Sequence, residues 1–340
     1  MKGSQIILDH LGTREAAALM VDGKLSDILI EADAPRPGTI YRAIADRPVK
    51  GQGGMFLKTP DGPAFLKQTK GLAPGQPLVV QVTGYSEDGK AIPVSHKVIF
   101  KSRYVIITPD APGLNVSRSI RDEDVRDTLK GIAHEAMDGT DMGMILRSCC
   151  AEADPEDIAE DIATMMDLAA QIMAEPDGPT ERLMDGDSPH LEAWREWSAP
   201  AEVVSDAGSF ETHGVLDALE DLNSVRVPLE GGAFLFIEPT RALIAVDVNT
   251  GPDTSPAAGT KANMATARAL PAQLRMRGLG GQITLDLAPM PKKDRRPFES
   301  ALRAAFRSDT IDTNLVGWTP LGHYELQRKR ARLPTKEYLD

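Results

Sequence analysis

Two short runs in the last third of the chain carry the residues best able to do chemistry. Ala242-Leu-Ile-Ala-Val-Asp247-Val-Asn249-Thr-Gly251 and Gly280-Gly-Gln-Ile-Thr-Leu-Asp286-Leu-Ala-Pro-Met290 are each an apolar, β-like run with one carboxylate set into it. Alternate side chains of a strand share a face. Ile244, Val246 and Val248 therefore point one way, and Asp247 and Asn249 the other. In the second run Ile283, Leu285 and Leu287 take the buried face, and Thr284 and Asp286 the opposite one. If the two strands are neighbours, two carboxylates and an amide converge on one sheet surface. That set suits a hard divalent cation such as magnesium, which takes oxygen ligands and often only one or two protein carboxylates. An aspartate that caps a loop at a strand end explains either residue alone, and explains the pair less well.

At 340 residues the chain exceeds the usual single-domain size, so two or more domains are expected. No apolar run approaches the length of a membrane span. The start, Met1-Lys-Gly-Ser-Gln-Ile-Ile-Leu-Asp9, breaks off too early for a secretory leader. Cys149 and Cys150 are adjacent, which fits neither a structural disulfide nor a zinc-ligand spacing. A reducing cytoplasm is the expected setting.

The net charge of −12 argues against a nucleic-acid partner until its distribution is considered. Acidic residues concentrate between 121 and 187. The C-terminal third is locally basic, with Arg268, Arg275, Arg277, Lys292, Lys293, Arg328, Lys329 and Arg330 around the second carboxylate run. A basic rim beside a metal site would suit a phosphodiester substrate; an ordinary solvated face is the plainer reading.

The elements that must position these residues follow from periodicity. Strands are expected at Gln5–Asp9, Ala16–Val21 and Leu25–Glu31, with Asp22-Gly23 as a hairpin turn. From 37 to 104 the pattern is all-β, with strands at Gly38–Ala45, Gly54–Lys58, Ala64–Leu66, Pro77–Thr83 and Val94–Phe100 between Gly/Pro clusters. This fits a small barrel of the OB type, with a β-sandwich fragment as the competing architecture. Helices are expected at Arg121–Ala136 and Pro155–Ala174, and a linker over Glu175–Pro189. The last third reads as α/β, with helices near Lys261–Arg277 and Pro297–Arg307. Pro271 falls inside the first of these, so that helix either kinks or begins there.

These strings resemble the ribonuclease E/G family of bacterial endoribonucleases. Asp247-Val-Asn-Thr-Gly251 and Gln273-Leu-Arg-Met-Arg-Gly-Leu-Gly-Gly281 match family hallmarks, as do Ser209–Glu220 and Val227-Pro-Leu-Glu-Gly-Gly232. The resemblance implies an α+β, multidomain chain: an OB-type β-barrel inserted near the N-terminus, and a C-terminal α/β catalytic domain like deoxyribonuclease I. The expected divisions are 1–36 with about 175–225 as a reduced ribonuclease H-like subdomain, 37–104 as the RNA-binding barrel, 105–174 as a 5′-end sensor region, and 226–335 as the catalytic domain.

The activity implied is magnesium-dependent hydrolysis of single-stranded RNA to 5′-phosphate and 3′-hydroxyl ends, in rRNA processing or mRNA decay. Asp247 and Asp286 match the family's metal-binding aspartates, and Asn249 its water-positioning asparagine. Arg147 and Ser148 match the pocket for a 5′-monophosphate, which Ser102 and Ile106 would complete. Phe56, Phe65 and Lys90 match RNA contacts on the barrel, where a stacking ring and a core phenylalanine remain alternatives. The family's Cys-Pro-x-Cys zinc element is not found before Asp340; any homodimer is expected to do without a zinc link. The usual Asn-Leu-Glu-Ala-Ala run reads Asn263-Met-Ala-Thr-Ala267, and Pro289 replaces an acidic residue. The alternative function is an RNA-binding protein of the same family with weak or lost cleavage.

Overall fold

The computed structural model describes residues 3–339 except 50, 52, 68–70, 88 and 138. Along the chain run β1 (Ser4–Leu11), β2 (Arg14–Val21), β3 (Lys24–Ile30), β4 (Ile40–Val49), β5 (Gly54–Thr59), β6 (Gly62–Leu66), β7 (Pro77–Val82) and β8 (Ile92–Ser95). Next come β9 (Phe100–Lys101), β10 (Val105–Thr108), β11 (Leu114–Val116), α1 (Glu123–Ala136), β12 (Gly143–Leu146), α2 (Pro155–Met173), β13 (Glu181–Met184) and α3 (Pro189–Glu196). The remainder comprises β14 (Glu202–Val204), α4 (Ser209–Thr212), α5 (Val215–Asn223), β15 (Arg226–Pro228), β16 (Phe234–Pro239) and β17 (Ile244–Asn249). It closes with α6 (Ala258–Met276), β18 (Gly281–Asp286), α7 (Arg295–Arg307), β19 (Thr313–Trp318) and β20 (Tyr324–Arg328). The chain folds into two compact units, Met1–Ile30 with Ala201–Asp340, and Glu31–Pro200.

In the first unit β14-β1-β2-β3 form one sheet, and Asp22 and Gly23 both take the positive φ that a two-residue hairpin turn demands. The second sheet has the order β15-β16-β17-β18-β20-β19. β17, α6 and β18 make a βαβ crossover, so β17 and β18 are parallel. Ile244, Val246, Ile283 and Leu285 pack with Leu270 and Leu274 of α6 and with Phe298 and Leu302 of α7. That burial is why α6 runs unbroken through Pro271: the helix hydrogen bond lost at the proline is offset by the apolar contacts on either side of it. The other face of these strands is polar, with Asp247, Gln282 and Asp286 exposed.

In the second unit five strands close a barrel in the order β4-β5-β6-β8-β7, with β7 pairing back onto β4. β6 and β8 are the parallel pair, and the OB-type order replaces the sandwich alternative. The expected strand Val94–Phe100 is two: β8 closes the barrel, and β9 joins the sheet β11-β12-β10-β9 under α1 and α2. The expected linker contains β13, which adds antiparallel to β4. Its polar composition hid it, because an edge strand has only one face to bury.

A buried ion cluster ties the first unit together. Asp309 binds Arg275 and, at 2.6 Å, Arg328, and the Asp309 and Arg328 side chains are fully buried. Removing one partner of such a cluster strands the others without water. Asp309→Ala should cost about 3–5 kcal/mol in urea unfolding, and a cost below about 1 kcal/mol would show the cluster to be idle.

Candidate active site

Register puts the two aspartates together. Across the parallel pair Asp247 lies directly beside Asp286, one strand spacing of about 4.8 Å away. Both sit at the carboxyl ends of their strands, the side of a parallel pair where ligands gather, and both are exposed. The Asn249 amide nitrogen donates to Asp247 Oδ2 at 3.0 Å, on the same face. Among the described residues no lysine or arginine pairs with either carboxylate. His323 is a neighbour, with its Nε2 3.7 Å from Asp286 Oδ1.

The chain after Asp286 is held from the α6 side. Asn263, fully buried, donates to the Ala288 carbonyl at 2.8 Å and accepts from the Ala288 N–H at 3.0 Å. A Cβ on Gly259 would fall 1.9 Å from the Pro289 carbonyl oxygen, so only glycine lets α6 approach this closely. The crossover helix thus fixes the exit of the strand that carries Asp286.

On the barrel, Phe56 and Phe65 are directly opposed across β5 and β6, with ring centroids 5.4 Å apart. Their neighbours Met55, Leu57, Ala64 and Leu66 fill the barrel core while the two rings stay outside it, half-buried. Gly54 permits this, since a Cβ there would meet the Phe65 ring at 2.4 Å. The Arg47 guanidinium lies 5.1 Å from the centre of the Phe56 ring. Lys90 is exposed between β7 and β8 and pairs with Glu87.

Arg147 is held through both terminal nitrogens. Its Nη1 donates to the carbonyls of Ser102, Arg103 and Arg195, and its Nη2 to Glu196 at 2.9 Å. Glu196 also pairs with Lys101 at 2.6 Å and Arg195 at 2.7 Å. Burial works against the Glu196 carboxylate, yet Lys101, Arg147 and Arg195 outweigh it and hold the pKa at about 2. Burial, aided by the two arginines, pushes the Lys101 ammonium below the usual lysine range. Ser102 Oγ binds Asp161 at 2.5 Å, Ser148 is exposed, and Ile106 is half-buried on the face opposite Val105 and Ile107. The thiols of Cys149 and Cys150 are free and donate to the carbonyls of Arg103 and Tyr104.

The profile of the Ribonuclease E/G family matches residues 100–199 and 193–331. The chain belongs to the ribonuclease E/G family. It is 27% identical to ribonuclease G of Salmonella typhimurium over 97% of its own length and 80% of that protein. It is 26% identical to ribonuclease G of Escherichia coli K12, with the same coverage. Against ribonuclease E of Nostoc it is 24% identical over 93% of its length, spanning 54% of that relative. The Salmonella alignment runs over 397 positions, more than the 340 residues here, so that relative carries insertions.

Within this endoribonuclease family member, several basic residues of the expected rim turn out to be structural. Arg275 and Arg328 belong to the buried cluster, Arg277 donates to the carbonyls of Leu222 and Ser224, and Arg330 donates to Gly280. Lys292, Lys293 and Lys329 remain exposed. Sequence reasoning missed His323, Asn263 and Glu196. The alternation in Tyr324-Glu-Leu-Gln-Arg328 was the available signal for β20, which brings His323 to the end of β18. Nothing local marks the roles of Asn263, which binds Ala288 25 positions on, or Glu196, which beside its neighbour Arg195 pairs with Arg147 and Lys101, 49 and 95 positions back.

Asn263→Ala strands both backbone groups of Ala288. We expect a loss of about 2–3 kcal/mol in thermal or urea unfolding, with RNA cleavage falling alongside, whereas Asn263→Asp should be milder. Because the Glu196 pKa is depressed, its contribution is present in full above the ordinary glutamate value of 4.5 and drains away as the pH falls toward 2. Glu196→Gln should therefore flatten the acid limb of the stability–pH curve by up to about 3 kcal/mol. An unchanged acid limb would contradict this assignment.

Proposed function

We propose that this chain is a magnesium-dependent endoribonuclease acting on single-stranded RNA, with Asp247 and Asp286 as the metal-holding carboxylates. The observation that carries the reading is the in-register pairing of the two aspartates on an exposed sheet face. Their chemistry fits a hard cation: two adjacent carboxylates without a basic partner repel each other unless a positive charge lies between them. The pair offers carboxylate oxygens and, being exposed, would leave positions on a cation for water and phosphate. When bound, magnesium would supply Lewis-acid polarisation of the phosphodiester and offset the charge that builds up on it.

The chain's own residues do the positioning. Asn249 fixes the Asp247 carboxylate through its amide nitrogen, and its amide oxygen is left to accept from the attacking water. Asn263 and Gly259 hold the segment that follows Asp286. Hydrolysis then leaves a 5′-phosphate and a 3′-hydroxyl. On this reading 226–335 is the catalytic domain, 37–104 the RNA-binding barrel, and Phe56 and Phe65 with Arg47 a stacking platform for unpaired bases. Lys90 would pair with the backbone beside it. Arg147, with Ser102, Ile106 and Ser148, would read a 5′-monophosphate once Glu196 releases the guanidinium. Precursor rRNA or mRNA in the cytoplasm is the proposed substrate pool; among the described residues no helix is long and apolar enough to cross a membrane.

Purified protein with magnesium should cleave an AU-rich single-stranded RNA. Asp247→Asn and Asp286→Asn should each lower kcat by about a thousandfold or more, and Asn249→Ala by about a hundredfold. Tight RNA binding with no cleavage, in magnesium or manganese, would overturn the enzyme reading and favour a binding protein.

A further inference from the structure

The face that carries Asp247 and Asn249 continues onto β16 with two phenylalanines. Leu235 and Ile237 of that strand are buried in the core, whereas Phe234 and Phe236 alternate with them, half-buried and outside it. Register places Phe236 directly opposite Asp247, Phe234 opposite Asn249, and Arg226 of β15 opposite Phe236. A single row therefore crosses the sheet from Arg226 through Phe236 and Asp247 to Asp286, each member one strand from the next. The two rings meet edge to face at 5.6 Å, and the Arg226 guanidinium lies 4.2 Å from the centre of the Phe234 ring.

We propose that Phe234 and Phe236, flanked by Arg226, form the subsite for an unpaired nucleobase adjoining the phosphodiester that is cut. The proposal rests on the ribonuclease reading of Asp247 and Asp286. On β17 and β18 this face is mostly polar, with Asp247, Asn249, Thr284 and Asp286, and neither ring belongs to the buried core cluster. Any base presents a π-face that a ring can hold, so the subsite would tolerate sequence and select for single strands, since a paired base has no free face. The guanidinium both covers the Phe234 ring and carries a fork suited to a phosphate oxygen. The edge-to-face pair stands half-buried beside Asp247 and Asn249. The base held there would fix where the neighbouring phosphodiester lies against Asp247 and Asp286.

Two measurements test this. In the first, a short uridine-rich oligonucleotide carrying 4-thiouridine is photo-crosslinked to the whole protein in EDTA, so that no turnover is needed, and the adducts are mapped by mass spectrometry. Adducts at Phe234 or Phe236 are expected; adducts confined to the barrel would overturn the subsite. In the second, Phe236→Leu, which keeps an apolar side chain, and Phe236→Ala should raise KM for a single-stranded substrate about tenfold or more, with kcat moving less. An unchanged KM with active enzyme would overturn the subsite while leaving the nuclease reading standing. Adducts at Phe236 on a protein that never cleaves RNA would overturn the nuclease reading and, with it, the subsite's place beside a cut phosphodiester.

Discussion

Parallel pairing of β17 with β18 is the constraint on which the site depends. A parallel pair needs a crossover, and α6 supplies it. The crossover in turn fixes register through the apolar face, where Ile244, Val246, Ile283 and Leu285 must all meet α6 and α7. A slip of one residue in either strand would turn that strand's carboxylate into the core. The same packing that stabilises the sheet therefore sets Asp247 beside Asp286 on the opposite, exposed side. The electrostatic cost of two neighbouring carboxylates is kept low by solvent, since both are exposed.

The two units treat charge differently. Around the carboxylates no described lysine or arginine pairs with the negative charge, and Arg275 and Arg328 serve the frame, buried on Asp309. In the other unit the cations Lys101, Arg147 and Arg195 converge on one carboxylate, Glu196, and carbonyl oxygens take up the rest of the Arg147 guanidinium. An arginine so tightly held is available to a phosphate only through exchange of partners.

Much of this was legible in the residues. Strict alternation in Ile244–Asn249 and Ile283–Asp286 gave both strands and the face of each aspartate, because one face had to be apolar. The turn chemistry of Asp22-Gly23 and the Gly/Pro punctuation between 50 and 77 gave a hairpin and a five-stranded barrel. What escaped notice has physical reasons. β13 is a polar edge strand, and β19 carries an irregular register between Leu315 and Gly317 that breaks its period. Pro271 suggested a helix break, but burial on both sides overrode it. Asn263 and Glu196 act through partners distant in sequence, which no local pattern encodes. The orientation of Phe56 and Phe65 required the strand register, and the register places both rings outside the barrel core.

The central claim is that Asp247 and Asp286 together make one divalent-cation site. Manganese titration followed by electron paramagnetic resonance tests it without relying on turnover. The account predicts one bound ion per chain, displaced by excess magnesium, and lost in both Asp247→Asn and Asp286→Asn. Undiminished manganese binding in either variant would contradict it.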